Sequence, residues 1–462
     1  MHLRVPAAVC AIAAAAALHC AAPAPAGEPA EWLAASDLHL DPFDRSGIPR
    51  PGRDGNRALF ESTLRAMRRA NPAPALVVLP GDFLAHHFAR IVRAGGGGVS
   101  ADDAAIAAMR QIAGGFARAF PKAQFAIALG NNDAPCGDYA SDLDGRFLRT
   151  TARIWARLVN RRGSAPNFER GFAHGGYYTV ALPGGRLRLV VLNTVPFSTE
   201  YRGICGGDRR DAAAAELTWL RAVLRGTPPG TRNVVTMHVP PGYDAFSTEM
   251  TRGFLPVPYL NPRDDAALLA ALSAPSNRVA FAIAGHAHRF DFRVSGAVPT
   301  IVLGALSPIY RNSPSFYELR VGPAGTLRDV VAFALDESTG SWMAPHDFDA
   351  TWRVERLDAA SLANLHARLG AEPPLRRAWA AASVGWATGL PSTMRVWREA
   401  TWRIPWCAQT ATGAAFAVCA GIERRAVFTR VAAVVAVLLA IVGLCFAVAL
   451  AIRAVAGRRR RP

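Results

Sequence analysis

The chain has 462 residues, of which 51% are hydrophobic and 19% are charged. A chain of this length and apolar content can bury one large core or two ordinary ones, which excludes a mainly disordered protein. Its net charge of +17 comes almost entirely from arginine, with Lys122 as the single lysine. Two explanations of this excess are open. One is compositional bias together with a membrane-topology signal, and the other is attraction to phosphates or anionic lipid. No basic block with interleaved aromatic residues occurs, so no nucleic-acid partner is expected.

The first 26 residues have the form of a secretory signal. Arg4 precedes an Ala-rich apolar stretch, and Ala24-Pro25-Ala26 provides a cleavage site before Gly27. We therefore predict a signal peptide over residues 1–26. Lipidation at Cys20 is the alternative, but the residue before it is His19, where a small residue is wanted.

Between residues 28 and 345, short apolar runs alternate with helical stretches rich in Ala and Arg. The runs lie at 32–35, 76–79, 125–129, 187–192, 233–237, 279–284 and 300–303. Most are followed by a polar or glycine-containing turn and then by a helical pattern such as 212–224. This alternation predicts a layered α/β domain. The glycine run at 95–98 is predicted to be a loop, because it does not follow a strand as a phosphate-binding loop does.

Beyond residue 345 the composition changes. Residues 346–425 are rich in Ala, Leu, Arg and Trp and are broken by prolines, which predicts a helical subdomain. Residues 431–452 contain no charge and are long enough for a transmembrane helix, with a buried core helix as the alternative. The basic tail at 453–462 follows directly, and the positive-inside rule predicts that it is cytoplasmic. The main domain is then expected outside the cytoplasm, in the periplasm or the extracellular space, held at the cell membrane by a single span.

Five short polar motifs follow the apolar runs. They are Asp37-Leu38-His39, Gly81-Asp82, Gly130-Asn131-Asn132-Asp133, Met237-His238 and Gly285-His286-Ala287-His288. Each is weak evidence by itself, because a lone Asp or His after a strand is more often structural. In this order they are expected to converge, because the carboxyl ends of strands meet at one edge of a layered α/β fold.

The residue types in these motifs suit a pair of divalent metal ions. Phosphoesters resist attack because their oxygens are already negative, so a hydrolase needs cationic centres that neutralise charge and generate hydroxide at neutral pH. Two metals about 3.5–4 Å apart do both. Asp, His and Asn provide a bridging carboxylate with imidazole and amide ligands, and this set without thiolates suits Zn, Mn or Fe.

The ordered motifs resemble those of the calcineurin-like metallophosphoesterases, and more narrowly those of the acid-sphingomyelinase-like phosphodiesterases. The narrower resemblance rests on Gly81-Asp82-Phe83-Leu84-Ala85-His86, His238-Val239-Pro240-Pro241-Gly242 and Gly285-His286-Ala287-His288-Arg289-Phe290-Asp291. It covers about residues 30–345 and implies a four-layer αββα metallophosphoesterase sandwich for the catalytic domain at 28–345. The helical C-terminal subdomain and the transmembrane helix follow that domain.

The resemblance also implies a role for each motif residue. Three residues would hold the first metal, three the second, and one carboxylate would bridge both: Asp37, His39 and His288; Asn131, His238 and His286; and Asp82. A hydroxide that bridges the two metals would then attack phosphorus in line with the leaving oxygen.

One position departs from the family's usual Gly-Asn-His-Asp/Glu pattern. Asn132 stands where that His lies near the leaving group, and an amide can donate a hydrogen bond but cannot deliver a proton. Endopolyphosphatase-like members resemble the chain in having Gly-Asn-Asn-Asp. The narrower family's additional His matches His86, which we predict to be the general acid, with a loop-positioning role as the alternative. Asn132 and His86 are thus the catalytic candidates beside the metals.

Five cysteines remain after removal of the signal, and Cys445 lies inside the predicted transmembrane helix. The other four are expected in a compartment where disulfides persist. Cys407 with Cys419 is the favoured pair because the two are close within one segment, and Cys136 with Cys205 would follow. Free or metal-binding thiols are the alternative.

The sequence therefore predicts an extracytoplasmic, metal-dependent phosphoesterase that acts on phosphodiesters in a sphingomyelinase-like way. Lipids, nucleotides, other diesters and polyphosphate are all candidate substrates. An endopolyphosphatase-like phosphoanhydride hydrolase is the enzymatic alternative. A non-catalytic, membrane-held binding module is the alternative from another class, and the complete set of predicted ligands argues against it because decayed sites usually lose several.

Overall fold

The computed structural model describes residues 30–95, 97–251, 255–387, 396–422 and 424–458. The predicted signal peptide at 1–26 and the last residues of the basic tail, 459–462, lie outside the described residues. Strands and helices are numbered in chain order.

The first sheet has seven strands, and the strand nearest the N-terminus lies inside it. In spatial order the strands are β16 (Ser341–Trp342), β15 (Leu327–Asp336), β14 (Ser315–Val321), β1 (Ala30–Ala34), β4 (Leu76–Leu79) and β5 (Gln124–Ile127), with β17 (His346–Asp347) beside β15. β4 is parallel to both β1 and β5, whereas β14 is antiparallel to β1. All residues of β4 are buried, as expected for a parallel strand that is covered on both faces.

The second sheet has six strands and a parallel centre. In spatial order they are β12 (Asp291–Arg293), β13 (Thr300–Val302), β11 (Val279–Ala284), β10 (Arg232–Thr236), β8 (Leu187–Val191) and β7 (Tyr178–Ala181). β8, β10, β11 and β13 are parallel, and each edge strand is antiparallel to its neighbour. Two small strand pairs lie in the loops: β2 (Leu40–Asp41) with β3 (Gly55–Asn56), and β6 (Ala140–Ser141) with β9 (Gly203–Ile204).

The two sheets pack face to face and share one core. Trp32 of β1 and Phe281 of β11 meet there, with their ring centroids 6.1 Å apart. Alternate residues of the second sheet separate its two faces, because side chains of a strand point in turn to opposite sides. Val234 belongs to the core between the sheets, whereas Val235 packs with the helices outside.

Helices cover both outer faces. The helices of the sandwich are α1 (Arg57–Ala70), α2 (Phe88–Gly95), α3 (Ala101–Ala119), α4 (Arg146–Val159), α5 (Phe168–Gly175), α6 (Ala212–Arg225), α7 (Ala245–Met250) and α8 (Pro262–Ser273). Phe116 of α3 packs against Phe125 of β5 at 5.9 Å, and Leu220 of α6 packs with Val235 of β10. The predicted four-layer αββα sandwich is confirmed.

Six helices follow the sandwich in the part of the chain that the structure describes. They are α9 (Phe348–Trp352), α10 (Ala359–Ala371), α11 (Pro373–Ala382), α12 (Arg403–Ala408), α13 (Gly413–Cys419) and α14 (Arg424–Arg458). Trp379 of α11 is fully buried against Phe292 and Phe348, so these helices extend the core of the sandwich. The division of the chain into a catalytic domain at 28–345 and a helical subdomain at 346–425 stays a prediction.

The C-terminal helix and the cysteines agree with two further predictions. α14 contains one stretch, Val431–Leu450, that is long and apolar enough to cross a membrane, and none of it is buried. Both favoured disulfides are present, Cys136–Cys205 and Cys407–Cys419, and Cys445 of α14 is a free thiol.

Candidate metal centre

The predicted ligands lie in loops that follow parallel strands of both sheets. Asp37 follows β1, Asp82 follows β4 and Asn131 follows β5, whereas His238 follows β10 and His286 follows β11. Because the two sheets are packed face to face, the carboxyl ends of these strands deliver all five loops to one edge of the sandwich.

Several residues of these loops have a strained backbone conformation. Five predicted ligands are non-glycine residues with positive φ: Asp37 (54°), His39 (44°), Asp82 (55°), His286 (72°) and His288 (53°). A side chain held in this left-handed region costs about 1–3 kcal/mol, and such residues persist only where the surroundings impose the conformation. Directing these side chains toward the centre therefore lowers the stability of the folded protein.

The Asp133 carboxylate holds two of the loops together. It accepts backbone N–H bonds from Asp82 at 3.0 Å, Phe83 at 2.8 Å, Leu84 at 3.1 Å and Gly130 at 2.9 Å. Burial, with the nearby Asp82 charge, raises the pKa of Asp133 to about 7. The sequence indicated no role for Asp133, although it belongs to a recognised motif.

One half of the centre brings together Asp37, His39 and His288. The Nε2 atoms of the two histidines face each other at 3.0 Å, and Asp37 Oδ1 lies 3.5 Å from His288 Nε2. The Nδ1–H of His39 donates to the Leu84 carbonyl oxygen at 3.1 Å, which turns its Nε2 toward the centre. Burial lowers the pKa of His39 to about 4 and that of His288 well below its usual range.

The other half brings together Asn131, His238 and His286. Asn131 Oδ1 lies 3.0 Å from His238 Nε2 and 2.8 Å from His286 Nδ1. The Nδ1–H of His238 donates to the Pro80 carbonyl oxygen at 2.8 Å. Burial lowers the pKa of His286 to about 3, whereas the attraction of Asp82 outweighs burial at His238 and raises its pKa to about 9.

Asp82 connects the two halves. Its Oδ2 lies 3.4 Å from His39 Nε2 and 3.2 Å from His238 Nε2. Burial would raise its pKa, but the neighbouring histidines, His238 above all, hold the pKa well below its usual range. The carboxylate is therefore charged at the point where the two groups of ligands meet.

This donor set fits divalent metal ions. Ligand atoms held about 2.0–2.2 Å from a tetrahedral ion lie roughly 3.4 Å from one another, and the atoms of the centre are spaced in that way. The low pKa values of His39, His286 and His288 keep these imidazoles neutral, which is the form that binds metal. The outward ring nitrogens of His39 and His238 donate to carbonyl oxygens, an arrangement typical of metal-binding histidines.

Asn132 has its amide turned toward the Asp82 carboxylate. Its backbone N–H donates to Asp82 Oδ1 and its Nδ2 donates to Asp82 Oδ2, both at 2.8 Å. The side chain is buried, at 1% exposure. A catalytic role for Asn132 stays a prediction, and in this geometry it would act through Asp82.

His86 lies beside the first half of the centre and is held by Asp54, a residue that the sequence analysis missed. Asp54 accepts from the backbone N–H of His86 at 3.1 Å and from its ring Nδ1–H at 2.8 Å. The ring stacks on His39 with centroids 4.0 Å apart. Burial lowers the pKa of His86, but the bond to Asp54 outweighs burial and raises the pKa above its usual value.

The other histidines of the described residues lie elsewhere. His87 turns away and pairs with Asp138 at 2.9 Å. His174 pairs with Asp144, and His346 and His366 stack on tryptophans at the C-terminal helices. None of these four histidines belongs to the metal centre.

Aromatic rings line the rest of the centre. Tyr310 meets His288 edge-on at 4.7 Å between centroids, and Tyr259 and Tyr139 meet His286 at 5.3 Å and 6.2 Å. Burial raises the pKa of Tyr310 to about 12, so it is a neutral hydrogen-bond donor.

Comparison with known proteins gives distant relatives. No family model matches the chain. Acid sphingomyelinase-like phosphodiesterase 3b of Mus musculus is 25% identical over 193 residues, which are 41% of this chain and 39% of that protein. The Homo sapiens protein of the same name is 25% identical over 243 residues, 47% of this chain and 49% of that protein. The chain is a distant homologue of the acid sphingomyelinase-like phosphodiesterases. It spans about half the length, or less, of these relatives.

The solved structures that match the chain are more remote in sequence. A dimetal phosphatase from Danio rerio has a TM-score of 0.43 and 16% identity, covering 69% of this chain and 98% of that one. A calcineurin-like phosphoesterase from Bacillus subtilis has a TM-score of 0.31 and 11% identity, covering 76% of this chain and 98% of that one.

Proposed function

We propose that the chain hydrolyses phosphodiesters with two divalent metal ions at the metal centre. The observation that carries the proposal is the position of Asp82, whose Oδ2 lies 3.4 Å from His39 Nε2 and 3.2 Å from His238 Nε2. A charged oxygen between imidazoles of two separate groups is what a bridging ligand requires. The distant homology to proteins named as phosphodiesterases supports the reaction class.

Each metal ion would have three ligands of its own and would share the Asp82 carboxylate. The first set would be Asp37, His39 and His288, and the second Asn131, His238 and His286. When bound, two such ions neutralise phosphoryl charge and supply a nucleophile at neutral pH.

His86 would provide the proton that the leaving oxygen needs. The Asp54 carboxylate fixes the Nδ1 side of the ring, which leaves Nε2 as the atom that can face a substrate. A ring nitrogen of His86 lies within 4.8 Å of one on each of His39 and His288, so the ring is close enough to act beside a bound phosphoryl group. Asn132 would hold Asp82 in its bridging orientation.

The aromatic lining of the centre favours a phosphate that carries organic groups. Tyr139, Tyr259 and Tyr310 present ring edges or faces around the histidines. Such rings can pack against the apolar substituents of a diester, which a bare phosphate chain does not offer. Polyphosphate is therefore the less favoured substrate, and the experiment below includes it as the alternative.

We infer further that the enzyme works outside the cytoplasm at a membrane. Two disulfides are consistent with an oxidising compartment, and α14 is long and apolar enough for one span. The signal at 1–26 and the basic tail at 453–462 would set the orientation, with the metal centre outside.

The test compares hydrolysis of bis(p-nitrophenyl) phosphate, p-nitrophenyl phosphate and polyphosphate by the purified full chain in detergent. Metal would be removed by chelation and restored as Mn or Zn, and metal content would be measured in parallel. We expect metal-dependent release of p-nitrophenol from the diester. Asp82→Asn should abolish this release and reduce the amount of bound metal, and a thermal unfolding curve would show whether that variant is folded.

Two other results would support the alternatives. Release of phosphate from polyphosphate without turnover of either organic ester would favour a phosphoanhydride hydrolase. Stoichiometric metal binding without turnover of any of the three would favour a binding module.

A further inference from the structure

Three large exposed apolar side chains of the described residues lie on or next to elements that pack together just before α14. Five such residues precede α14 in the described part of the chain. Met250 (59% exposed) ends α7, Leu255 (55%) follows it, and Val418 (80%) lies in α13. We call these three residues the membrane-proximal patch. The other two, Ile48 and Val99, lie in loops of the sandwich.

α7 and α13 belong to one packed unit. Tyr243, just before α7, stacks on Phe416 of α13 with centroids 3.9 Å apart, and its hydroxyl donates to the Gly413 carbonyl oxygen at 3.0 Å. Arg398 pairs with Glu249 of α7 at 3.0 Å. The disulfide between Cys407 and Cys419 joins α12 to α13. The patch therefore sits on a fixed support.

The same unit leads directly into α14. Ile422 is buried, at 6% exposure, in the apolar cluster that contains Ala245 and Phe416. α14 begins two residues later, and its apolar stretch begins at Val431. Seven helical residues from Arg424 rise only about 10 Å. A bilayer that surrounds the apolar stretch must therefore have its surface within about this distance of the packed unit.

α7 also connects the patch to the metal centre. Phe246, near its start, lies 6.4 Å from Tyr310 between ring centroids, and Tyr310 lies 4.7 Å from His288. Met250 ends the helix. A six-residue helix is about 9 Å long, so the centre and the patch lie near opposite ends of one short element.

We propose that the membrane-proximal patch docks on the surface of the bilayer that holds α14, so that the metal centre works at the level of lipid headgroups. The patch supplies apolar side chains for the interfacial layer, and α14 supplies the short tether that keeps them there. The docking rests on α14 as a membrane span and is independent of catalysis. Its consequence, preference for phosphodiesters of lipids in the same membrane, rests on the proposed function.

The docking is tested by fluorescence of the full chain in phosphatidylcholine vesicles. Met250→Cys and Leu255→Cys, each in a Cys445→Ser background, would carry an environment-sensitive probe. Lipids with a nitroxide near the headgroup would serve as quencher. The control is Ala324→Cys, an exposed position in the turn between β14 and β15, at the opposite edge of the sandwich. We expect probes at 250 and 255 to shift to shorter wavelengths and to be quenched, and the probe at 324 to do neither.

Equal emission and equal quenching at all three positions, with the chain resistant to extraction from the vesicles, would overturn the docking. This readout needs no turnover, so failure of the proposed function leaves it interpretable.

The lipid preference is tested separately with Met250→Asp/Val418→Asp and the matched control Val99→Asp. The double variant should lose turnover of a vesicle-borne phosphodiester lipid while turnover of bis(p-nitrophenyl) phosphate stays unchanged. Equal turnover of the lipid by both variants would contradict the preference for phosphodiesters of lipids in the same membrane.

Discussion

Asp54 accepts two hydrogen bonds from His86, one from its backbone N–H at 3.1 Å and one from its ring Nδ1–H at 2.8 Å. Both side chains are largely buried, at 12% and 21% exposure. A carboxylate in this position fixes the tautomer and the direction of the ring, so Asp54 is a positioning residue for His86.

Asp54→Asn is therefore expected to impair proton donation more than metal binding. Turnover of diesters with a poor leaving group should fall by about 10²-fold or more, because such groups depend on a general acid. Diesters of p-nitrophenol, a good leaving group, should lose far less. The measurement is kcat for a series of aryl diesters of rising leaving-group pKa.

The matched control for this series is His86→Gln, which should show the same dependence on the leaving group. Unchanged metal content in both variants is part of the prediction. An equal loss for every diester would instead support the loop-positioning role of His86, and a loss of bound metal would make His86 a ligand.

Asn132 offers a second prediction, because both of its donors engage Asp82. Asn132→Ala keeps the backbone bond and removes the side-chain bond, so Asp82 should be less firmly oriented. Loss of such a supporting bond typically weakens metal affinity by about 10–100-fold. Titration of the metal-depleted chain with Zn or Mn measures this directly. Unchanged affinity together with a lower kcat would show that the amide acts on the substrate instead.

Gly130 gives a prediction about the close approach of two loops. A Cβ at this position would overlap the Asp82 carboxylate and its backbone nitrogen. Gly130→Ala should force the loops apart, lower the free energy of unfolding by about 1–3 kcal/mol and weaken metal binding. Gly47→Ala is the matched control, because Gly47 is exposed and a Cβ there meets nothing within 4 Å. Thermal unfolding of both variants in detergent checks the difference, and an equal midpoint would contradict it.

The fold and the convergence of the motifs could be predicted from the sequence. The apolar run at 76–79 became the buried strand β4, and Asp82 follows it at the edge where Asn131 and His238 also arrive. Periodicity identifies such strands, and the general behaviour of parallel strands brings their carboxyl ends together. The prediction needed no knowledge of which strands are neighbours.

Contacts between distant loops could not be predicted in this way. Asp54 lies in the loop between β2 and β3, outside every motif, and contacts His86 across a separation of 32 residues in the chain. The direction of the Asn132 amide is likewise set by Asp82, a residue of another loop. The stacking of Tyr243 on Phe416 joins segments far apart in the chain, and no local pattern in the sequence reports it.

The last prediction concerns pH and the support beneath α7. Glu249 is 3% exposed and pairs with Arg398 at 3.0 Å, with the Arg289 charge also nearby. Burial outweighs both arginines and raises the pKa of Glu249 from 4.5 to about 7. A carboxyl whose pKa is raised on folding stabilises the protein below its unfolded pKa and loses that contribution as pH rises through the folded value.

Wild type should therefore lose stability relative to Glu249→Gln between pH 4.5 and about 7, by up to about 3 kcal/mol. The two proteins should be similar at the lower pH, because the protonated carboxyl and the amide are both neutral. Chemical unfolding at a series of pH values measures the difference between their free energies of unfolding. A difference that stays constant across this range would mean that Glu249 remains charged throughout, stabilised by Arg398 despite its burial.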